Sequence, residues 1–589
     1  MKRYFKLIVI IFILMLMFFF YIRTMYPAFR NDDSPETIVS AYTLGISHAP
    51  GYPLFNLLAK IFLTVPAGST AFRINLFSGF LSLFVLLLVY FSAHKISGNG
   101  LAAVYSMLIL GVSPFFWNQA ISAKGAIYIL NSLLTVAILY SGLRVVEKYD
   151  VRFVYLAFFC FGLSLANQWP SAVEIAPVWL WIMIRSRKFL NGPAVIQSLF
   201  FLFLGLTPYL YLPIRAHTNP VFAMGDPSTF EGFIWMVMRK GYVPSNAWIF
   251  KISYPQILLV LKETILSLSF FWIFSILGIV FMRKRTPVMI ILTLILLIPP
   301  ITAALIDPLG YSASGSSSRY FIDIFLLPAI AAGAILSASA VKTFLEIPRK
   351  GWPVMFAAVG FVLTAAMGTG SFLRNDNSRN FLSYDYGKNI LGSMDRGSIY
   401  IADVDANIMP VLYEHFVARF RSDVTMIELR LLGFDWEIGR IEKETGVTSL
   451  QRRKPGTNTR MIVEYMAGKH TIYASYNRSA AQYMKIPFEH LQFGAVLMVV
   501  PGREKRIYDP FAMYSFRGLF DKGLMRDPDN YYFARAYSGA FVNTGNDRYI
   551  AGDYISAAGY YKKALALPAT ENIPKILDNL EKAEERARQ

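Results

Sequence analysis

"LIVIIFILMLMFFFYIRTMYPAFRNDDSPE", residues 7–36, passes from unbroken hydrocarbon to three carboxylates, Asp32, Asp33 and Glu36. A run such as Leu7–Tyr21 is built for lipid, and a carboxylate beside lipid is costly unless it is hydrated or paired. The stretch therefore reads as a membrane helix running into an acidic loop whose charges need a purpose. The basic start, Met1 to Lys6, fits either a secretory signal or a first spanning helix. Thr24, Met25, Tyr26 and Pro27 follow without a small-residue cleavage pattern, so a retained helix is expected.

The rest of the chain agrees with a membrane reading. Of its 589 residues 55% are hydrophobic and 15% aromatic, and the mean hydropathy is +0.43. That is too apolar for an ordinary soluble protein. Apolar segments recur at 7–23, 74–94, 101–117, 126–143, 153–168, 171–184, 194–213, 256–281, 287–305, 320–341 and 352–373. A span needs about 20 residues, so three of these are short, as spans that line a cavity often are. The expected fold is an α-helical polytopic membrane protein of about eleven transmembrane helices. The spans look nearly free of mid-helix charge, Glu174 and Lys262 lying near ends, and no inverted repeat is evident. Both points disfavour a carrier or flippase.

Charge sets the orientation. With Lys2, Arg3 and Lys6 in the cytoplasm, the inside loops carry Lys95; Arg144, Lys148 and Arg152; Arg185, Arg187 and Lys188; Arg283, Lys284 and Arg285; and Lys342, Arg349 and Lys350. The outside turn at Asn167-Gln168-Trp169 has no basic residue. This positive-inside pattern accounts for the net charge of +19 better than nucleic-acid binding does, for no folded basic module accompanies it. It places a first outer loop at 24–73, a second at 214–255, and everything after about residue 374 outside. The single cysteine, Cys160, precludes an intrachain disulfide.

The domain reading is a membrane part, 1–373, an extracytoplasmic α/β region, 374–510, and a helical tail, 511–589. "GSIYIADVDANIMPVLYEHFVARFRSDVTMIEL" reads as strand, helix, strand. The final stretch has Ala and aromatic residues at helical spacing, like one tetratricopeptide-type helix pair with a cap. Asp509-Pro510 and Asp527-Pro528 carry turn signals.

Four constellations offer chemistry. Asp33-Ser-Pro-Glu36 has the spacing of a capping box, with Asp33 at the N-cap and Glu36 at N3. An Asp at a helix start also stays ionised and can act as a general base. Asp32 reads as a solvated charge, second in line for that role. His48-Ala-Pro-Gly-Tyr52-Pro is a tight turn whose His can serve a phosphate or a hydroxyl, or whose rings merely anchor at the interface. Tyr211 and Arg215 end a span at the outer surface, where Arg215 either clamps a phosphate or snorkels. Arg319 closes the Ser/Gly loop "GYSASGSSSRYF". Asp226 and Glu231 read as another helix start. No Walker loop, dinucleotide fingerprint, nucleophile elbow or zinc spacing is present, and six His with one Cys make a zinc site unfavourable.

"DSPETIVSAYTLGISHAPGYPLFNLLAKIF", "AFRINLFSG", "SPFFWNQA" and "YLYLPIRAHTNPVFAMGDPSTFEGFIW" resemble, in this order, the family long catalogued as domain of unknown function 2723. That family sits among the type C glycosyltransferases (GT-C), and its vertebrate members are protein O-mannosyltransferases. The resemblance implies a polytopic enzyme moving a hexose such as mannose from a polyprenyl-phosphate carrier to an acceptor hydroxyl. Its expected acceptor is Ser or Thr of exported proteins, with a glycolipid or envelope polymer as the alternative. It further implies Asp33 as base with Glu36 beside it, and Arg215, Arg319, His48 and Arg73 as holders of the carrier phosphate. It requires no nucleotide or metal. The setting it implies is a bacterial inner membrane, with the site facing the periplasm or exterior. Three places depart from the pattern: His-Ala-Pro in the turn, Lys124-Gly-Ala126 where a Glu is expected, and Gln168 after Asn167.

Overall fold

The computed structural model describes residues 2–147, 149–187, 191–242, 254–282, 286–305, 316–475, 486, 488–500, 509–568 and 570–589. Residues 310–315 of the Ser/Gly loop, parts of several inside loops and all of 243–253 fall outside these residues. The chain divides into two compact units. One comprises 1–25, 46–68 and 72–378, and the other 26–45, 69–71 and 379–589. The first outer loop is thus shared between them.

The first unit is helical and integral to a membrane by length and composition. Nine helices among the described residues are long and apolar enough to span. A tenth segment is broken: Gly100–Gly111 and Pro114–Ala120 meet at 68°. The break falls at Val112-Ser113, where Pro114 removes a donor and Ser113 Oγ donates instead to Ser267 O at 2.8 Å.

The helix Val151–Ser186 is continuous by hydrogen bonding yet reverses at Gln168, whose φ and ψ of −155° and 86° are not helical. Phe158 and Phe161 both meet the ring of Trp179, at 4.9 and 4.7 Å between centroids, as in an antiparallel hairpin. Gln168 caps the second arm, its Oε1 accepting from Ser171 N at 2.9 Å. Asn131 Nδ2 donates to the Gln168 carbonyl at 2.8 Å, and Asn167 Nδ2 to Ile127 O at 2.8 Å. These amides satisfy backbone that no water reaches. The two sequence segments at 153–168 and 171–184 are therefore the arms of one reversal. Counting them separately, with the broken pair, gives about eleven crossings among the described residues.

Elsewhere the unit packs backbone against backbone. A Cβ on Gly162 would lie 2.3 Å from Leu202 O, and one on Gly278 would lie 2.1 Å from Leu336 O. Small residues at such crossings let helices approach where lipid supplies no hydrophobic drive. One expectation is corrected: the spans are not nearly free of charge. Glu263 and Asp323 lie buried in the helices Tyr254–Leu268 and Ser316–Leu345, alongside buried Glu174, whose Oε1 accepts from Thr302 Oγ1 at 2.6 Å. They are buried among packed helices, which is why apolar runs around them remain long.

The second unit carries a five-stranded sheet: β1 (Ile399–Ala402), β2 (Thr425–Glu428), β3 (Ile472–Ala474), β4 (Glu489–Phe493) and β5 (Val496–Val500). The order is β2-β1-β3-β5-β4, with β2 and β3 parallel to β1 and β5 antiparallel to β3 and β4. The helix Asp405–Phe416 joins β1 to β2, the strand–helix–strand order expected from sequence. Ile399, Ile401, Ile427 and Ile472 enter one core with Ile441 and Ile462. The tail forms helices Pro528–Ile550, Tyr554–Leu565 and Ile573–Arg588, closed over Ala557, Ala558, Tyr561, Ile576 and Ala583. Both Asp-Pro signals mark helix starts instead of open turns.

Candidate active site

The second unit holds the acidic stretch. Phe29 lies against Tyr413 and Tyr384, with ring centroids 4.7 and 6.1 Å away. Arg30 Nη2 stands 3.3 Å from Asp527 Oδ2. These contacts tie the chain before the carboxylates to the C-terminal region. The helix Ser34–Thr43 follows with Pro35 in its first turn, and it packs on the helix Asp405–Phe416.

The capping box is not formed as the spacing suggests. Asp33 occupies the N-cap position, but its side chain makes no cap hydrogen bond. Asp32 caps instead, its Oδ1 accepting from Ser34 N at 2.7 Å. Asp32 is therefore no solvated charge: its side chain is 8% exposed. Burial pushes its carboxyl above the ordinary value, against the pull of Arg30 and the Ser34 hydrogen bonds. A neighbouring residue has taken the structural task, so capping places no demand on the Asp33 carboxylate.

Glu36, one turn on, is buried, and carboxylate oxygens of Asp33 and Glu36 lie within 4.8 Å of each other. Two carboxylates this close, at the positive end of a helix, can together accept from a cationic or hydroxylic ligand between them. Alone they supply two of the six or more oxygens a hard divalent cation takes.

The first unit holds the other predicted residues. The turn Ser47–Tyr52 is buried, and His48 Nε2 and the Tyr52 hydroxyl lie 3.0 Å apart. Gly51 has φ +92°, and a Cβ there would meet Leu212 Cδ2 at 2.7 Å. Through that approach the turn rests on the short helix Tyr211–His217, which bears Tyr211 and Arg215. A parallel bridge between Ile46 and Ala223 holds the same strands of chain together. The structure thus brings His48, Tyr52, Tyr211 and Arg215 into one neighbourhood.

Arg73 has a different environment. Its guanidinium donates to the carbonyls of Leu63, Ala67 and Gly68 at 3.1, 3.3 and 3.1 Å, tying down the turn after the helix Pro53–Phe62. Arg319 lies in the helix Ser316–Leu345, with its side chain outside the described residues. Asp226 and Glu231 flank a helix start as read, with Thr229 Oγ1 accepting from Gly232 N at 3.0 Å.

One residue was missed. Lys124 is 1% exposed, and its ammonium sits 4.3 Å from the centroid of the Tyr52 ring. A lone Lys in a predicted outside turn breaks the positive-inside pattern, and that exception was the signal.

Comparison with known proteins agrees with the resemblance. Residues 33–191 match the family model for the protein O-mannosyl-transferase TMEM260 N-terminal domain, which begins at Asp33. The mouse protein O-mannosyl-transferase TMEM260 is 23% identical over 431 residues, 70% of this chain and 61% of that protein. The Dictyostelium discoideum protein O-mannosyl-transferase tmem260 is 23% identical over 471 residues, 71% and 56% respectively. The chain spans about three-fifths of the length of these relatives. A solved Archaeoglobus fulgidus oligosaccharyltransferase aligns with 80% of this chain and 69% of its own, at 12% identity and a TM-score of 0.47. A second, in complex with an inhibitory peptide and a dolichol-phosphate, gives 82%, 71%, 10% and 0.44.

Proposed function

We propose, taking as premise that this chain is a protein O-mannosyltransferase-like membrane protein, that it transfers a hexose such as mannose from a polyprenyl-phosphate carrier. The acceptor in this reading is a Ser or Thr hydroxyl of an exported polypeptide. The observation that carries it is the Asp33–Glu36 carboxylate pair at the start of a helix, with capping delegated to Asp32.

Asp33 takes the proton from the acceptor hydroxyl as its oxygen attacks the anomeric carbon. The bond from that carbon to the phosphate oxygen breaks, and polyprenyl phosphate leaves. Direct displacement inverts the anomeric centre. Glu36 places a second carboxylate beside Asp33, within reach of the same acceptor hydroxyl. The leaving phosphate needs positive charge where its own develops, and Arg215 and Arg319 serve that need, with His48 as a hydrogen-bonding partner. Arg73 contributes by fixing its loop. The scheme runs without a nucleotide or a metal. The reaction takes place at the non-cytoplasmic face of a bacterial inner membrane, where a lipid-borne donor meets a water-borne acceptor.

The test is transfer in vitro from synthetic polyprenyl-phosphate mannose to a pool of Ser/Thr peptides, read by mass spectrometry. Modified peptides with wild type and none with Asp33→Asn support the reading. Transfer unaffected by Asp33→Asn removes the base, and transfer only to a glycolipid acceptor replaces the polypeptide.

A further inference from the structure

The sheet of the second unit has a topological switch point between β1 and β3. The connection from β1 leads to β2 on one side, and the next connection returns past β1 to β3 on the other. In open α/β sheets, ligands bind in the crevice at such a point, outside the carboxyl ends of the strands. The first residues beyond those ends are Asp403 after β1 and Ser475 after β3. Neither takes part in the chemistry proposed above.

The side chains there hold one another in place. Asp403 Oδ1 accepts from Asn407 Nδ2 at 2.7 Å and from Ser475 Oγ at 2.8 Å, so both lone pairs of that oxygen are used. Ser475 Oγ in turn accepts from Asp403 N at 3.1 Å. Asn407 is buried, and its Oδ1 accepts from the hydroxyls of Tyr386 at 2.7 Å and Tyr532 at 2.9 Å. Asp403 Oδ2 has no hydrogen-bond partner among the described residues, and Asp403 is half-buried. The carboxylate is therefore fixed in rotation, with one oxygen occupied and the other open. Burial, and after it the Asp403 charge, push the Tyr532 hydroxyl up to about 12, a mark of how near that ring lies to the carboxylate.

A carboxylate oxygen only accepts, so the open position selects a donor or a cation. A hard cation takes six or more oxygens, but Asp405, two residues on, and Glu428, at the end of β2, are both engaged by Arg430. No group of three metal-ligating side chains among the described residues includes Asp403. A hydroxyl donating to a carboxylate makes a short, charge-assisted bond. The two lone pairs of Oδ2 match the two hydroxyls of a vicinal diol, and the half-buried Tyr532 ring offers an apolar surface to the C–H face of a sugar. We propose that the crevice between β1 and β3 binds a hexose through a pair of its hydroxyls, with Asp403 as the acceptor. This goes beyond the transferase reading and uses none of its residues.

The experiment uses the full-length chain in a detergent without a sugar headgroup, with methyl α-mannopyranoside as the probe, read by saturation-transfer NMR. Asp403→Asn keeps an oxygen where Asn407 and Ser475 donate and puts an amino group at the open position, so it should melt like wild type. It should weaken binding about tenfold or more, as loss of a charge-assisted contact does. Asp33→Asn should bind the probe like wild type, which separates this crevice from the transfer site. No binding by wild type, or equal binding by Asp403→Asn and wild type, overturns the proposal, as does a loss in Asp33→Asn alone. Binding of Mn²⁺ but not of the mannoside overturns it in favour of a cation. Should Asp403→Asn melt early, a diazirine-bearing mannoside with the native chain decides instead. Label on the peptides of Asp403 and Tyr532 supports the proposal, and label only elsewhere sinks it. Binding that persists where transfer is absent leaves this inference standing while the transferase reading falls.

Discussion

The two parts of the first loop are built on different physics. Tyr26–Gly45 belongs with the C-terminal region, and its carboxylates are positioned by a helix start, backbone amides and the Arg30–Asp527 pair. Ile46–Gly68 belongs with the membrane helices, and its groups are positioned by ring contacts and close packing: His48 on Tyr52, Lys124 over Tyr52, Gly51 against Leu212. One half gathers carboxylates at a helix start. The other sets the buried Lys124 over the Tyr52 ring, whose hydroxyl faces His48. Continuity in sequence therefore says little about which body supports a given functional group.

That contrast is most exposed at the paired aspartates. Asp33→Asn should reduce transfer about a thousand-fold, the usual scale for a positioned general base, with an unchanged melting temperature. Asp32→Ala should do the reverse, with turnover largely retained and a cap weakened by about 1 kcal/mol. Steady-state transfer and thermal melts of both variants decide. Equal loss of turnover in both would erase the distinction between capping and catalytic carboxylates.

The next largest effect concerns the body that carries the acidic half. Glu414, in the helix packed on Ser34–Thr43, is buried, and its carboxyl is pushed up to about 7 by burial. The folded state holds this proton more tightly than the unfolded chain. The resulting stability is complete below about pH 4.5 and is lost as the pH rises through about 7. Its size is on the order of 3 kcal/mol, from 1.36 kcal/mol per unit. Glu414→Gln should flatten that slope in melts taken from pH 4 to pH 8, matching wild type at the acid end and exceeding it at the alkaline end. A slope unchanged by the substitution would separate this carboxyl from the stability of the acidic half.

The membrane half offers two smaller tests. Gly51→Ala meets both a left-handed φ and the Leu212 methyl, and should cost about 2 kcal/mol, read as a lower melting temperature. Tyr52→Phe removes the hydroxyl that faces His48 while keeping the ring under Lys124. It should cost about 1 kcal/mol, the scale of one hydrogen bond. If Tyr52→Phe instead destroys the fold, the hydroxyl and not the ring organises this half.

The sequence was most legible where one local rule suffices. Hydropathy located every span found among the described residues, and the basic clusters predicted the hairpin at Asn167-Gln168-Trp169 that the ring contacts of Trp179 reproduce. The alternation around Ile399 and Ile401 located the parallel strands. It was least legible where two rules compete. Asp33 has capping-box spacing, yet Asp32 reaches Ser34 N first. Arg73 has the charge for a phosphate, yet three carbonyls occupy its guanidinium. Glu263 and Asp323 vanished into apolar runs because an average over a window outweighs one carboxylate.

By itself the sequence determined that this chain enters a membrane many times, which segments do so, and that acidic residues follow the first of them. Those properties follow from transfer free energies, which each side chain carries wherever it is placed. Only the tertiary structure decided which aspartate caps, which arginine is committed to backbone, that Lys124 lies over Tyr52, and that Asp403 and Ser475 meet beyond the ends of two strands. Those are matters of distance between residues remote in sequence, and hydrogen bonds and charge contacts act over a few ångströms only.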